Sequence, residues 1–229
     1  MANFSVIILT AQPPGQAADG GAFVKVDGRE CLLRSVELFL NRDNIKQIVL
    51  VVGSGQLEDA KKKYGAHLGF SGVKLLSGES WWQQASAGLE RLDPANEHVI
   101  LHDAARPAVA FGDIDAIIEE AEKHPAVVLA AQLRGELAEL GGDGLPMAIR
   151  PAVSFLQLLT PWVMKRGVLA AAIKNQALPT GADLTILRAA PQNIRVGSAG
   201  DAGLAKTMLA MLPKRKMRAS ENPFEEAQW

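Results

Sequence analysis

The residues of this 229-residue chain best suited to chemistry lie in two segments. One is His102-Asp103-Ala104-Ala105-Arg106-Pro107, directly after the apolar run 98–101. A carboxylate just past a buried strand is well placed to hold Mg²⁺, which takes carboxylate oxygens together with substrate phosphates. Arg106 could fix the loop through a bidentate pair, or meet a phosphate. The same residue types also fit a structural role, with Asp103 as a helix N-cap and Arg106 facing solvent. Residue type alone leaves both readings open.

The other segment is the loop from Thr10 to Ala22, which follows the first apolar run. A Gly-rich loop after a first strand can bring bare backbone N–H groups close to an anion. Its spacing matches neither G-x-G-x-x-G nor the P-loop, and Pro13 and Pro14 remove two donors. A flexible loop is an equally good reading. Trp81-Trp82 could stack on a base, although an aromatic pair at a helix start more often packs. His67 and His124 read as surface residues, and Lys61-Lys62-Lys63 as a solvated helix face.

These segments need strands to position them. Short runs of β-branched and aliphatic residues mark buried parallel strands, covered on both faces. Such runs occur at 4–9, 47–52, 73–76, 98–101, 127–131 and 193–196. Helical spacing occurs at 31–40, 82–92 and 112–123, with further candidates at 153–159, 162–175, 181–190 and 199–212. Strand and helix alternate, which predicts an α/β fold with a mostly parallel sheet and right-handed crossovers. Residues 135–149 break the rhythm, because Gly141, Gly142, Gly144 and Pro146 form a turn cluster between short apolar segments. That pattern predicts a β-hairpin or an excursion from the core. From Pro213 onward charge is mixed and apolar period absent, which reads as a frayed tail or, less simply, a basic docking patch.

Composition narrows the function classes. With 48% hydrophobic and 21% charged residues, the chain is globular rather than disordered. A net charge of −1 argues against a sequence-independent grip on nucleic acid, which needs a basic face. Cys31 stands alone, so no internal disulfide and no Cys/His metal site is expected. No apolar run approaches the roughly 20 residues of a membrane span. The apolar stretch at 6–9 lacks a preceding basic region and does not read as a signal peptide. The expected setting is the cytoplasm. An NAD-linked enzyme is disfavoured, because the glycine fingerprint is missing and Gly53-Ser54-Gly55 stands where a ribose-binding carboxylate would follow the second strand.

At His102-Asp103-Ala104-Ala105-Arg106-Pro107 the chain resembles the cytidylyltransferases that make CDP-methylerythritol in the non-mevalonate isoprenoid pathway, and the related CDP-ribitol synthases. The resemblance extends over nearly the whole chain. It includes the segment from Val24 to Val36, residues 45–52 and 78–89, Leu129-Ala130-Ala131-Gln132-Leu133-Arg134, Leu159-Thr160-Pro161 and Asn193-Ile194-Arg195-Val196. It implies a Rossmann-like nucleotide-diphospho-sugar transferase fold, mostly parallel, with a protruding β-arm exchanged in a homodimer. A single domain would cover 1–212, with 135–149 as the arm and 213–229 as a flexible tail.

The implied reaction is attack by a sugar-alcohol phosphate on the α-phosphate of CTP, releasing pyrophosphate with Mg²⁺. By resemblance Thr10, Ala11, Gln12, Gly15, Gly78, Gln84, Asp103 and Ala104 would bind the nucleotide, and Asp103 the metal. Arg106, Arg134 and Asp183 would bind the acceptor, and Lys25 and Arg195 would supply catalytic charge. The chain departs from the family at several of these places. The family loop A-A-G-x-G-x-R carries an Arg that is absent here, and the following family Lys aligns at or beside Gly21. Trp81 stands where the family has Arg, Gln84 where it has Ser, and Arg195 where it has Lys. The family's Asp-Thr after Arg134 is Gly135-Glu136, and its Thr-Asp-Glu is reduced to Ala182-Asp183-Leu184. One well-placed cation in phosphoryl transfer is worth roughly 10³–10⁵ in rate. Two expectations follow: a cytidylyltransferase acting on a polyol phosphate, or a catalytically degenerate homologue that keeps the fold and acts as a non-catalytic binding or interaction protein.

Overall fold

The computed structural model describes residues 2–16 and 19–213. A seven-stranded sheet runs through it in the order β11-β7-β10-β6-β1-β4-β5. Its strands are β1 (Phe4–Leu9), β4 (Ile45–Val52), β5 (Lys74–Ser77), β6 (His98–Asp103), β7 (Ala126–Gln132), β10 (Leu156–Lys165) and β11 (Thr185–Arg188). All pairings are parallel except those of β10, which runs antiparallel to both β6 and β7. Every residue of β1 and β6 is buried, as strands covered on both faces must be. Alternate side chains feed two layers. Val6, Ile8, Leu50 and Ile100 pack with α1 (Cys31–Glu37), α2 (Leu57–Phe70) and α4 (Phe111–Ala121). Ile7, Leu9, Val49 and Leu101 pack with α3 (Trp81–Arg91) and α5 (Arg166–Asn175). The mixed α/β architecture with a mostly parallel sheet is the one the sequence predicts.

Two small elements stand off this sheet. β2 (Lys25–Val26) and β3 (Arg29–Glu30) form a hairpin whose turn residues, Asp27 and Gly28, both have positive φ. An Asp-Gly pair is well suited to such a turn. β8 (Glu136–Leu140) and β9 (Pro146–Pro151) pair antiparallel with each other and with no strand of the main sheet. A last helix, α6 (Ala202–Met211), packs on β2. Among the described residues no helix is long and apolar enough to cross a membrane. The tail expected from Pro213 onward lies, past its first residue, outside the described residues.

The second half of the chain departs from its sequence expectation. Residues 153–159 and the start of 162–175 read as helix, but most of this stretch is β10, and α5 starts only at Arg166. Leu159 and Val163 enter one core layer while Leu158, Trp162 and Met164 enter the other, which is the alternation of a strand. A register shift between Leu159 and Trp162 interrupts that alternation across Pro161, which has no N–H for the ladder. The stretch 181–190 is a short 3₁₀ turn followed by β11 rather than a helix. The run 193–196 is no strand. Its Val196 N–H donates to the Ala105 carbonyl at 2.8 Å, so it clamps the loop after β6 instead.

Candidate functional site

The carboxyl ends of β1 and β6 lie side by side, with Leu9 opposite Asp103. In sheets of this kind ligands bind outside such ends, where the following loops meet. Four charged side chains gather there: Asp19 from the loop after β1, Asp103 and Arg106 from the loop after β6, and Arg195 from the 193–196 clamp.

Asp103 is fully buried and both its oxygens are engaged. Oδ1 accepts the Ala105 N–H at 2.9 Å, and Oδ2 accepts Arg195 Nε at 2.7 Å with Arg106 Nε 3.7 Å away. Burial raises the Asp103 carboxyl, and the Arg195 charge is the first of the effects opposing it. Arg106 is 2% exposed, and its Nη1 donates to the Asn193 carbonyl at 3.0 Å. Burial brings this guanidinium down to about 10, against the pull of Asp103. Arg106 is thus built into the floor of the site, with Nη1 on Asn193 and its buried Nε without a hydrogen-bond partner.

A buried polar layer ties the floor together. Thr160 Oγ1 accepts the Asp103 N–H at 3.0 Å, and Asn193 Nδ2 donates to the Thr160 carbonyl at 2.9 Å. His102 Nε2 donates to the Arg106 carbonyl at 3.1 Å, while Nδ1 lies 3.4 Å from Thr160 Oγ1. Burial lowers the His102 pKa to about 3, so the ring is neutral at ordinary pH and serves as a strut. Burial also pushes the Cys31 thiol up to about 12, which leaves it inert as a nucleophile.

Arg195 is held from both sides. Its Nε meets Asp103, and its Nη1 and Nη2 form a fork on the Asp19 carboxylate, with Nη2 to Oδ1 at 3.2 Å. Asp19 Oδ1 also accepts the Gly21 N–H at 2.9 Å, and the Asp19 carbonyl accepts Gln12 Nε2 at 2.6 Å. Burial is the largest influence on Asp19 and opposes its ionisation, but the Arg195 and Gly21 hydrogen bonds and the Arg195 charge together outweigh it and hold the carboxyl below its usual value. Asp19 is the member of this cluster that sequence reading missed. The available signal was that it is the one carboxylate in the loop after the first strand.

The backbone donors at the start of that loop are likewise engaged. A capping box starts α3, with Gln83 N–H donating to Ser80 Oγ and Ser80 N–H to Gln83 Oε1. That start turns Gln84 toward β1, where its Oε1 accepts the N–H groups of both Thr10 and Ala11 at 3.0 Å. Gln84 Nε2 donates to the Gly78 carbonyl at 2.8 Å. Gln84, Gly78, Thr10 and Ala11 therefore do come together, by binding one another. Ala104 N–H bonds the Leu9 carbonyl at 2.8 Å. Gly15 lines a separate cavity of about 410 Å³ with Pro13, Trp82, Trp162 and Gln176. Trp81 is buried edge-on against Trp162 at 5.4 Å, so it packs and does not stack on a ligand.

The remaining expected residues lie elsewhere. Lys25 sits on the β2–β3 hairpin with its side chain 61% exposed and its ammonium 4.0 Å from Glu30, which Lys63 of α2 also holds. Arg34 is turned onto the same hairpin, donating to the Val26 carbonyl at 3.0 and 2.9 Å. Both side chains are thus engaged on the hairpin. Gly21, where the family Lys aligns, presses its backbone on the clamp: a Cβ there would stand 1.8 Å from the Val196 carbonyl oxygen. Arg134 is exposed between β7 and β8. Asp183 precedes β11, whose Thr185 pairs with Val127 at the beginning of β7, so it lies at the sheet edge opposite Asp103.

The donor set does not fit Mg²⁺. The ion demands a near-octahedral shell of oxygens, with carboxylate lone pairs free to face it. Asp103 is fully buried, with Oδ1 on the Ala105 amide and Oδ2 on the Arg195 guanidinium, and the Asp19 oxygens face Arg195 and Gly21.

Comparison with known proteins is consistent over most of the chain. A sequence model of the 2-C-methyl-D-erythritol 4-phosphate cytidylyltransferase family matches residues 6–209. The chain is 24% identical over 220 residues to the 2-C-methyl-D-erythritol 4-phosphate cytidylyltransferase of Symbiobacterium thermophilum, covering 89% of this chain and 92% of that protein. It is 25% identical over 226 residues to a bifunctional relative from Desulforudis audaxviator, covering 91% of this chain but 57% of the longer protein. The crystal structure of 4-diphosphocytidyl-2C-methyl-D-erythritol synthase from Anaerococcus prevotii superposes with a TM-score of 0.72 at 18% identity, covering 91% and 96% of the two chains. At that identity the likeness is one of fold.

Proposed function

The chain belongs to the 2-C-methyl-D-erythritol 4-phosphate cytidylyltransferase family, and on that premise we propose that it uses the family's fold, over a domain of residues 1–212, to bind rather than to transfer CMP. The observation that carries this reading is the state of Asp103. The one carboxylate that the signature loop offers to a metal–triphosphate complex has both oxygens committed to protein donors. Phosphoryl transfer needs fixed positive charge around the α-phosphate and the leaving group. Here Arg195 is the one cation of the cluster not sealed in the floor, and two carboxylates already neutralise it.

The alternative, transfer of CMP from CTP to a polyol phosphate with Mg²⁺, is favoured by one observation. Asp103, Arg195 and the Thr10–Ala11 turn converge at one end of the sheet, as a nucleotide would need. Incubation of the pure protein with CTP, Mg²⁺ and 2-C-methyl-D-erythritol 4-phosphate separates the two. The binding reading expects no pyrophosphate above the uncatalysed background.

The β8–β9 hairpin supports a second part of the proposal, that two copies associate through it. Leu140, Leu145, Met147 and Ile149 are exposed on the hairpin, and Val153, Phe155 and Leu156 continue the apolar surface at its base. A contiguous patch of this kind marks an interaction surface. Sedimentation should show the native chain as a dimer and the double variant Met147→Asp, Ile149→Asp as a monomer with unchanged secondary structure. A monomeric native chain would contradict the proposal.

A further inference from the structure

The Arg195 fork and the Gly21 N–H converge from two sides on one small volume, in the manner of an anion cradle. Guanidinium forks match carboxylates and phosphates alike, and a backbone N–H adds a fixed partial charge. The volume is filled by the protein's own Asp19, which takes a hydrogen bond from each of these donors. Asp19 does not belong to the floor. It arrives from the loop after β1, 176 residues away in sequence from Arg195, and its side chain is 22% exposed. Its link to the rest of that loop includes the bond from Gln12 Nε2 to its carbonyl. A carboxylate held by a few hydrogen bonds near the surface can be displaced at modest cost.

Charge arithmetic sharpens the point. With Asp19 in place the cluster holds two carboxylates, Asp19 and Asp103, and two guanidiniums, Arg106 and Arg195, and so presents no net charge to an arriving anion. Without the Asp19 charge the same cluster presents one unit of positive charge through the Arg195 fork.

We propose that Asp19 is an internal competitor for the anion site formed by Arg195 and Gly21, and that it sets which ligands this site accepts. A ligand must displace a carboxylate that is tethered beside the site at high effective concentration. Multiply charged phosphoryl groups can do so and simple carboxylates cannot. The inference rests on the reading of this charged cluster as a binding site, and it concerns anion affinity alone.

Calorimetric titration with inorganic pyrophosphate, in EDTA to exclude metal effects, tests it. Asp19→Asn keeps an oxygen for the Gly21 N–H but removes the charge, and should bind pyrophosphate at least tenfold more tightly than the native chain. Asp19→Ser should do the same, which covers poor folding of the first variant. Adding Arg195→Gln to either should abolish the gain. Affinity unchanged or weaker on loss of Asp19, or a gain that survives Arg195→Gln, would overturn the inference. Turnover of CTP by the native chain would defeat the binding reading while leaving this titration free to succeed or fail.

Discussion

Arg106→Met is expected to lower the unfolding free energy by about 3–5 kcal/mol, the usual cost of removing one member of a buried ion pair. Methionine roughly conserves the length of the side chain, so the loss does not come from a large cavity. It comes from the partners left behind. The Asn193 carbonyl loses its 3.0 Å donor inside the protein, and the buried Asp103 keeps Arg195 but loses its second guanidinium. Because Asn193 also holds the Thr160 carbonyl, the disturbance reaches β10 and the clamp. Urea unfolding followed by tryptophan fluorescence should show a lower midpoint at constant slope. A change under about 1 kcal/mol, together with weakened anion binding, would instead make Arg106 a ligand-binding residue, as the resemblance alone implies.

Gly21→Lys carries the other large effect. It restores the residue that the family pattern places at or beside this position, and by sequence logic should help bind phosphate. The structure predicts the reverse. Any Cβ at Gly21 falls 1.8 Å from the Val196 carbonyl oxygen and 2.8 Å from its carbon. Backbone, not a flexible side-chain tip, stands in the way. Overpacking of this sort costs typically 1–3 kcal/mol and sometimes more, and a clash with main chain belongs at the upper end, about 3 kcal/mol or beyond. Gly21→Ala should be destabilised comparably, since the Cβ and not the ammonium does the damage. A Gly21→Lys protein as stable as the native chain and releasing pyrophosphate from CTP would refute this account of the loop.

These two positions show where sequence reading reached and where it stopped. The runs that became β1, β4, β5, β6 and β7 were legible because strands buried on both faces need continuous apolar residues. β10 was not, because its alternation breaks across Thr160-Pro161 and its two halves each fit a helical spacing. β11 is four residues long, too short for any period to be counted. Within the site, residue type and resemblance brought Asp103, Arg195, Thr10, Ala11 and Gln84 to the same place. They could not reveal that these groups satisfy one another. The Asp19–Arg195 fork and the Arg106–Asn193 bond join residues 176 and 87 positions apart, and only the folded chain brings such partners together. Lys25 and Asp183 were placed by resemblance alone, and the fold sets Lys25 on an exposed hairpin and Asp183 just before β11. Proximity along the chain to a family landmark did not fix which way a hairpin or a sheet edge would face.

The claim that unites these observations is that the charged groups of the site are spent on one another, so that the protein binds without transferring CMP. Phosphorus NMR of the native protein at concentrations stoichiometric with CTP, Mg²⁺ and 2-C-methyl-D-erythritol 4-phosphate tests it most directly, because even one turnover per molecule would be seen. The account predicts that the CTP resonances persist for hours with no pyrophosphate signal. Appearance of pyrophosphate together with a new diphosphate diester, abolished by Arg195→Gln, would contradict it.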